Sequence, residues 1–544
     1  MRKSILKFSA LLMLAASPLA AQSGSPGYDI VIRNGRVLDG AGNPWISADV
    51  AIKDGRIVKV GTVAGKGARE IDARNRYVTP GFIDMMDSSG TVFLKSGAAE
   101  NKLRQGVTSL ISGEGGPPVP ADQITAYFDQ LEKQGIAVNF GTYYSGMQAR
   151  QKIVGDADVR PTPEQMALMV KEVETAMRQG ALGISSALMY AGHSYQTAED
   201  LITLSKVVSK CGGFYASHIR DESENLIPAI NEAIRIGEEG GVKVEIFHLK
   251  AAFRPGWGKL MPQAIAAIEA ARARGVDIAA DMYPYPAAGT TLAVTVPKWI
   301  WADGYDKGIE RLRDPALRAR LKKESAAGSV QDWANPLVAT GGWQNVVLDY
   351  PNSAKYARFA KMSMDKVAAE LKQDPADAAW DILLAAQPGR ASAFYFMMGE
   401  ADIELAMRQP WVSIGSDGPS SLPGAVENDA QRHPRDYATM ARIISEYVVK
   451  RKVLSLEEAV RKMTSWPAQR MGLSDRGLIR EGMRADVAVF DPANVKEKAT
   501  FDQPLQFAEG MDAVIVNGQI ALDGDRLTGS RSGIALRHEC PALK

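Results

Sequence analysis

Residues 214–250 read FYASHIRDESENLIPAINEAIRIGEEGGVKVEIFHLK, and the architecture follows from this stretch. A short β-prone run from Phe214 to Ser217 ends at His218. Apolar residues then recur at helical spacing between Asn225 and Glu239 (Leu226, Ile230, Ala233, Ile234), until Gly240-Gly241 stops them. Val242 to Phe247 is a second β-rich run, ending at His248. Strand, helix, strand is one βα unit, and each strand ends in a histidine. In an α/β barrel the carboxyl ends of the strands form the face where catalytic groups collect. One strand-end histidine is commonly structural. Two in consecutive units, in a chain with five histidines, point to a metal pair.

The same alternation extends on both sides. Candidate strands end near Asp84, Ser112, Tyr143, Ser185, His218, His248, Asp281 and Ser416. Thr162-Pro163-Glu164-Gln165 is a capping box with proline at the first helical position. Met166, Met169, Val170, Val173 and Met177 form that helix's apolar stripe, a core face rather than a cofactor site, and Gly180 ends it. Thr197 to Gly212 repeats the scheme. Eight strands with intervening helices predict an α/β fold of the (β/α)8 TIM-barrel type. Residues 286–352 break the rhythm with Trp299, Trp301, Trp343 and a charged helix expected from Lys307 to Lys323. They read as a subdomain inserted after strand seven, either lining substrate or decorating the surface.

Both ends of the chain read as short strands. DIVIRNGRVLD and ADVAIKDGRIVKVG near the start carry the turn dipeptides Asn34-Gly35 and Asp54-Gly55; ADVAVF and DAVIVNGQIAL near the end carry Asn517-Gly518. Each half is too small to stand alone, so the two are expected to complete one small β-sandwich. The expected division is a signal peptide over 1–21, sandwich halves over 22–79 and 477–544, and a barrel over 80–476 with its insertion at 286–352.

The signal peptide rests on Arg2, Lys3 and Lys7 before an apolar run from Phe8 to Ala16, with small residues around Ala20-Ala21. It implies a periplasmic or secreted protein. No later stretch approaches about 20 apolar residues, so no membrane span is expected. A net charge of +1 gives no electrostatic footprint for nucleic acid. Cys211 and Cys540 are the only cysteines; they form no framework, and nothing in the sequence pairs them. The oligomeric state is not legible.

The flanking half-sheets, PGFID (Pro80 to Asp84), the paired strand-end histidines and GSDG (Gly415 to Gly418) resemble the amidohydrolase superfamily, and within it the D-aminoacylase (N-acyl-D-amino-acid deacylase) branch. ASHIRDE, IFHLK, DMYPY, SIGSDG, HPRDYAT and TSWPAQRMGL carry the closer likeness, which runs from about Tyr28 to Gly529. The departures are local. The family follows PGFID with x-His-x-His, where this chain has Met86 and Ser88, poor ligands for zinc. Asp87 between them is expected to face the other way. Glu114 stands where the branch often has a metal-binding cysteine. No lysine occurs in GALGISSALMY (Gly180 to Tyr190), which argues against a carbamylated-lysine bridge.

The resemblance then implies one zinc, held by Glu114, His218 and His248, with an open position for water. It implies Asp417 as the catalytic general acid/base, with an Asx-turn role as the alternative. Lys250, two residues past His248 and so on the same face if the segment is extended, is expected to bind the substrate carboxylate with Tyr283. Tyr285 is the reserve. Arg220, Arg435 and His433 are further substrate-binding candidates, each with an ordinary structural alternative. The substrate implied is a small N-acyl-D-amino acid. A dipeptidase, a cyclic-amide hydrolase and a non-catalytic binding protein stay open as alternatives.

Overall fold

The computed structural model describes residues 27–328, 333–421 and 433–543. The signal peptide expected over 1–21 lies outside the described residues.

Eight parallel strands carry the body. Phe82–Asp87, Val107–Ser112 and Asn139–Thr142 pair side by side. Gly183–Ala187, Phe214–His218, Lys243–Ile246, Ile278–Met282 and Val412–Ile414 pair in that order, with Tyr144–Ser145 on the outer edge of Gly183–Ala187. Tyr143 therefore joins the two sheets within one strand. At the opposite edge Asp417 N donates to the Met86 carbonyl at 2.8 Å, and Asp87 and Gly418 form a parallel bridge. These strands are buried along nearly their whole length, as expected for sheets covered on both faces. The chain is thus mixed α/β with parallel sheets.

The helices obey their sequence signals. Pro163–Arg178 opens on the expected Thr162 and Gln165 box and buries Met169, Val173 and Met177. Ala198–Lys210 is capped by Thr197 with Asp200, and Leu226–Gly240 closes on left-handed Gly241. The charged helix expected from Lys307 to Lys323 is two helices, Tyr305–Arg311 and Pro315–Ala326. Pro315 has no N–H to continue the first, and Asp314 caps the second.

The two chain ends form one sheet of nine strands. Tyr77–Pro80 lies antiparallel to Val487–Phe490, Tyr77 opposite Phe490, and the chain then enters the first parallel strand at Phe82. Asp54-Gly55 makes the expected hairpin turn, with both φ angles positive. Asn34-Gly35 does not: it is a bulge inside Tyr28–Val37, where the register against Ile46–Lys53 shifts. Between strands seven and eight, Ala287–Thr291, Ser392–Phe396 and Val346–Tyr350 form a separate antiparallel sheet. Its middle strand lies well beyond 352, the expected end of the insertion.

Cys211, just past helix Ala198–Lys210, is bonded to Cys540 in the tail, a link the sequence did not reveal. The pair are 329 residues apart, so the bond restricts a very large loop of the unfolded chain. The tail is also sewn on through Phe140 N to Ile534 O and Leu536 N to Phe140 O. Among the described residues no helix is long and apolar enough to cross a membrane. Cys540→Ser is expected to lower the thermal midpoint by roughly 2–4 °C at unchanged kcat, since such a bond contributes about 2–4 kcal/mol and the unfolding entropy of a chain this long is about 1 kcal/mol per degree. An unchanged midpoint in scanning calorimetry would show that the bond does not form.

Candidate metal centre

Three residues from three strand ends meet. Glu114 follows Val107–Ser112, His218 ends its own strand, and His248 lies two residues past Lys243–Ile246. Their ligating atoms all lie within 4.8 Å of one another. His218 Nδ1 is 2.7 Å from Glu114 Oε1, and His248 Nε2 is 3.9 Å from the same oxygen. One carboxylate and two imidazoles at this spacing suit a catalytic zinc with an open position.

Glu222, to which no role is assigned from its motif, stands directly behind both rings. Its Oε1 is 2.9 Å from His248 Nδ1 and its Oε2 is 3.3 Å from His218 Nε2. Those are the nitrogens turned away from Glu114. If they carry the protons, Glu222 accepts from both rings and leaves His218 Nδ1 and His248 Nε2 as lone pairs facing the centre. Lys250 Nζ donates to Glu222 Oε1 at 2.5 Å and lies 2.7 Å from His248 Nδ1. Burial opposes charge on His218, but Glu222 and Glu114 outweigh it and push the imidazole up to about 9. Burial likewise opposes ionisation of Glu114 and Glu222, yet their cationic neighbours hold both below the usual carboxylate range. The one available signal was an acid four residues after His218 in ASHIRDE.

Asp417 completes the group from the eighth strand. Its Oδ2 is 4.0 Å from His248 Nε2 and 2.8 Å from Arg435 Nη1. A cavity of about 850 Å³ opens here, lined by Glu114, His218, His248, Asp417 and Arg435. Thr290, Trp301 and Trp333 from the segment between strands seven and eight line it too.

The other expected substrate contacts divide. Lys250 and Tyr283 do not line this cavity but sit behind the histidines, Lys250 Nζ lying 5.5 Å from the Tyr283 ring centre. The same-face argument fails because His248 has φ 36°, so the segment is not extended. Arg220 is also outside the cavity and binds Glu232 at 2.8 Å and the carbonyls of Ser194 and Gln196. His433 lines the cavity, but its Nδ1 accepts from Arg435 N and its Nε2 reaches the Ala287 carbonyl, so it braces the loop. His193 also lines the wall; its Nδ1 accepts from Ala187 N, and burial holds it down to about 4. Met86 is packed in the core, and Asp87 turns away from the cavity, as expected, to Lys102.

The amidohydrolase family model matches residues 141–522. The chain is 31% identical to the D-aminoacylase of Alcaligenes xylosoxydans xylosoxydans over 95% of this chain and 99% of that protein. It superposes with TM-score 0.77 on the N-acyl-D-glutamate deacylase of Bordetella bronchiseptica, solved with zinc and a phosphonate mimic of the tetrahedral intermediate, at 27% identity over 94% and 99% of the two chains. A D-aminoacylase with a binuclear metal centre matches with the same score, at 28% identity over 94% and 100%.

His218→Ala or His248→Ala is expected to abolish stoichiometric zinc binding, and Glu222→Gln to weaken it about 10- to 100-fold in a chelator competition. An unchanged zinc affinity in Glu222→Gln would mean that Glu222 does not orient the rings.

Proposed function

The chain belongs to the amidohydrolase family, D-aminoacylase branch, and on that premise we propose that it deacylates N-acyl-D-amino acids with one zinc held by Glu114, His218 and His248. The observation that carries this reading is the opening of the three-donor cluster and Asp417 into one cavity. Zinc bound there supplies a Lewis acid and a water that ionises near neutral pH. Asp417 takes the proton from that water and returns it to the amide nitrogen, because an amine leaves only once protonated. Arg435, 2.8 Å away, fixes which way the carboxylate points. Glu222 keeps the two rings turned toward the ligand site.

Supporting a single zinc is the first strand, whose Met86 and Ser88 offer no ligand. We read the parallel strands, joined edge to edge at Asp87 and Gly418, as one (β/α)8 barrel over 80–476, and the shared end sheet, 22–79 with 477–544, as its β-sandwich. The signal peptide expected over 1–21, together with the Cys211–Cys540 bond, supports a periplasmic or secreted enzyme. The dipeptidase and cyclic-amide alternatives are not favoured, since the relatives that share 30–31% identity over 90–95% of this chain are a D-aminoacylase and two N-acyl-D-amino-acid deacylases. Retention of Asp417 beside the full donor set disfavours a binding protein.

With N-acetyl-D- and N-acetyl-L-amino acids as substrates, turnover of the D series alone is expected. Asp417→Asn should retain zinc and fold while kcat falls on the order of 10²-fold or more. Near-normal turnover in zinc-replete Asp417→Asn would remove this residue from the chemistry.

Arg435 is the expected carboxylate's partner facing the cavity, and Lys250 the charge that steadies Glu222. Arg435→Met should therefore lose roughly 10- to 100-fold more kcat/KM on a free acid than on its methyl ester. Lys250→Met should lower both equally. A selective loss on the acid in Lys250→Met, with none in Arg435→Met, would reverse the two assignments.

A further inference from the structure

Asp417 stands on a loop that is fastened around a buried lysine. Lys102, in the short helix Glu100–Leu103, is fully buried. Its Nζ lies 2.8 Å from Asp84 Oδ2, 2.9 Å from Asp87 Oδ2, 2.8 Å from Ser416 Oγ and 2.8 Å from the Gly418 carbonyl. The two carboxylates belong to the first parallel strand, and Ser416 and Gly418 flank Asp417 directly. Asp84 also accepts from Ser416 N at 2.7 Å and Ser416 Oγ at 2.6 Å. Asp87 Oδ2 accepts from Ser89 Oγ, which in turn accepts from Ser420 N at 2.7 Å. Asn101, beside the lysine, binds the Pro419 carbonyl at 3.0 Å and Ser421 N at 2.7 Å. With Asp417 N on the Met86 carbonyl, every residue from Ser416 to Ser421 is tied to the segment 84–102.

Asp417 needs such a hold. Its φ of 49° lies in the left-handed region, which a residue with a side chain keeps only when its surroundings impose it. Met86 and Ser88 give the first strand no metal ligand, so in the one-zinc reading no ion joins that strand to Asp417.

We infer that Lys102 is a positioning residue for Asp417: clamped between Asp84 and Asp87, its ammonium grips Ser416 and Gly418 and thereby holds the Asp417 backbone in the place from which Arg435 can direct its carboxylate. It touches neither substrate nor metal. The competing role is plain charge balance, in which Lys102 neutralises two buried carboxylates and affects only stability. The inference rests on Asp417 being the proton carrier.

A double-mutant cycle separates these possibilities. Ser416→Ala and the charge-matched pair Lys102→Met/Asp87→Asn are each measured in zinc-replete protein, with Asp417 intact and in the Asp417→Asn background. With Asp417 intact, kcat is expected to fall about 10- to 100-fold, while KM and zinc content change less than about threefold. In the Asp417→Asn background the same changes should lower the residual kcat by less than about twofold, since no base remains to be misplaced. An unaltered kcat with Asp417 intact, or an equal loss in both backgrounds, would overturn the inference. A near-normal kcat in Asp417→Asn alone would instead overturn the reading of Asp417. If the Lys102 variant does not fold, Ser416→Ala, which removes one hydroxyl, decides the question alone.

Discussion

Glu222 holds two imidazoles by the nitrogens they turn away from the cavity, and the arrangement of the centre depends on that contact. An ionised carboxylate this deeply buried would cost several kcal/mol without partners, and losing one partner of such a group typically costs about 3–5 kcal/mol. Here His218, His248 and Lys250 share it. With neutral imidazoles, the cluster has three carboxylates (Glu114, Glu222, Asp417) against two cations (Lys250, Arg435). The surplus is one negative charge, aimed at the gap between the rings. Burial opposes charge on His218, and Glu222 and Glu114 push it up to about 9 all the same. A site that favours a proton on a ring nitrogen there favours a metal cation for the same reason.

The first strand takes the opposite course. At position 86 the chain has a methionine packed with Ile83, Met85, Ile111 and Phe247. The eighth strand approaches so closely that a Cβ on Gly415 would lie 2.8 Å from Met86 Cβ and 2.7 Å from Asp281 Oδ1. The polar residues of this strand, Asp84 and Asp87, turn to Lys102 instead. Strands five and six therefore bring two imidazoles together with Glu114, while strands one and eight supply a fixed wall carrying Asp417. Thr290, Trp301 and Trp333, from the segment between strands seven and eight, line the same cavity.

The alternation of strand and helix was legible because its periods, capping boxes and glycine stops are local. The His218 and His248 pair was legible for the same reason, and so was Glu114 once the motifs had been aligned. What the sequence concealed depends on contacts made across the fold. Glu222 lies in a loop whose turn, set by Asp221 accepting from Ser223 N, brings it back under both rings. Lys250 lies outside the cavity lining because His248 leaves the extended conformation, which a two-residue periodicity argument cannot foresee. Asn34-Gly35 and Asp54-Gly55 carry the same turn signal, yet pairing with neighbouring strands makes one a bulge and the other a hairpin. Cys211 and Cys540 lie too far apart in the chain for spacing to suggest their bond.

Anomalous diffraction at the zinc edge, from crystals of enzyme with measured activity, tests the one-zinc centre most directly. The expected map has a single peak per chain, bounded by Glu114, His218 and His248 and facing Asp417. A second peak of comparable occupancy beside Met86 and Ser88, or a sole peak away from the two histidines, would contradict the account.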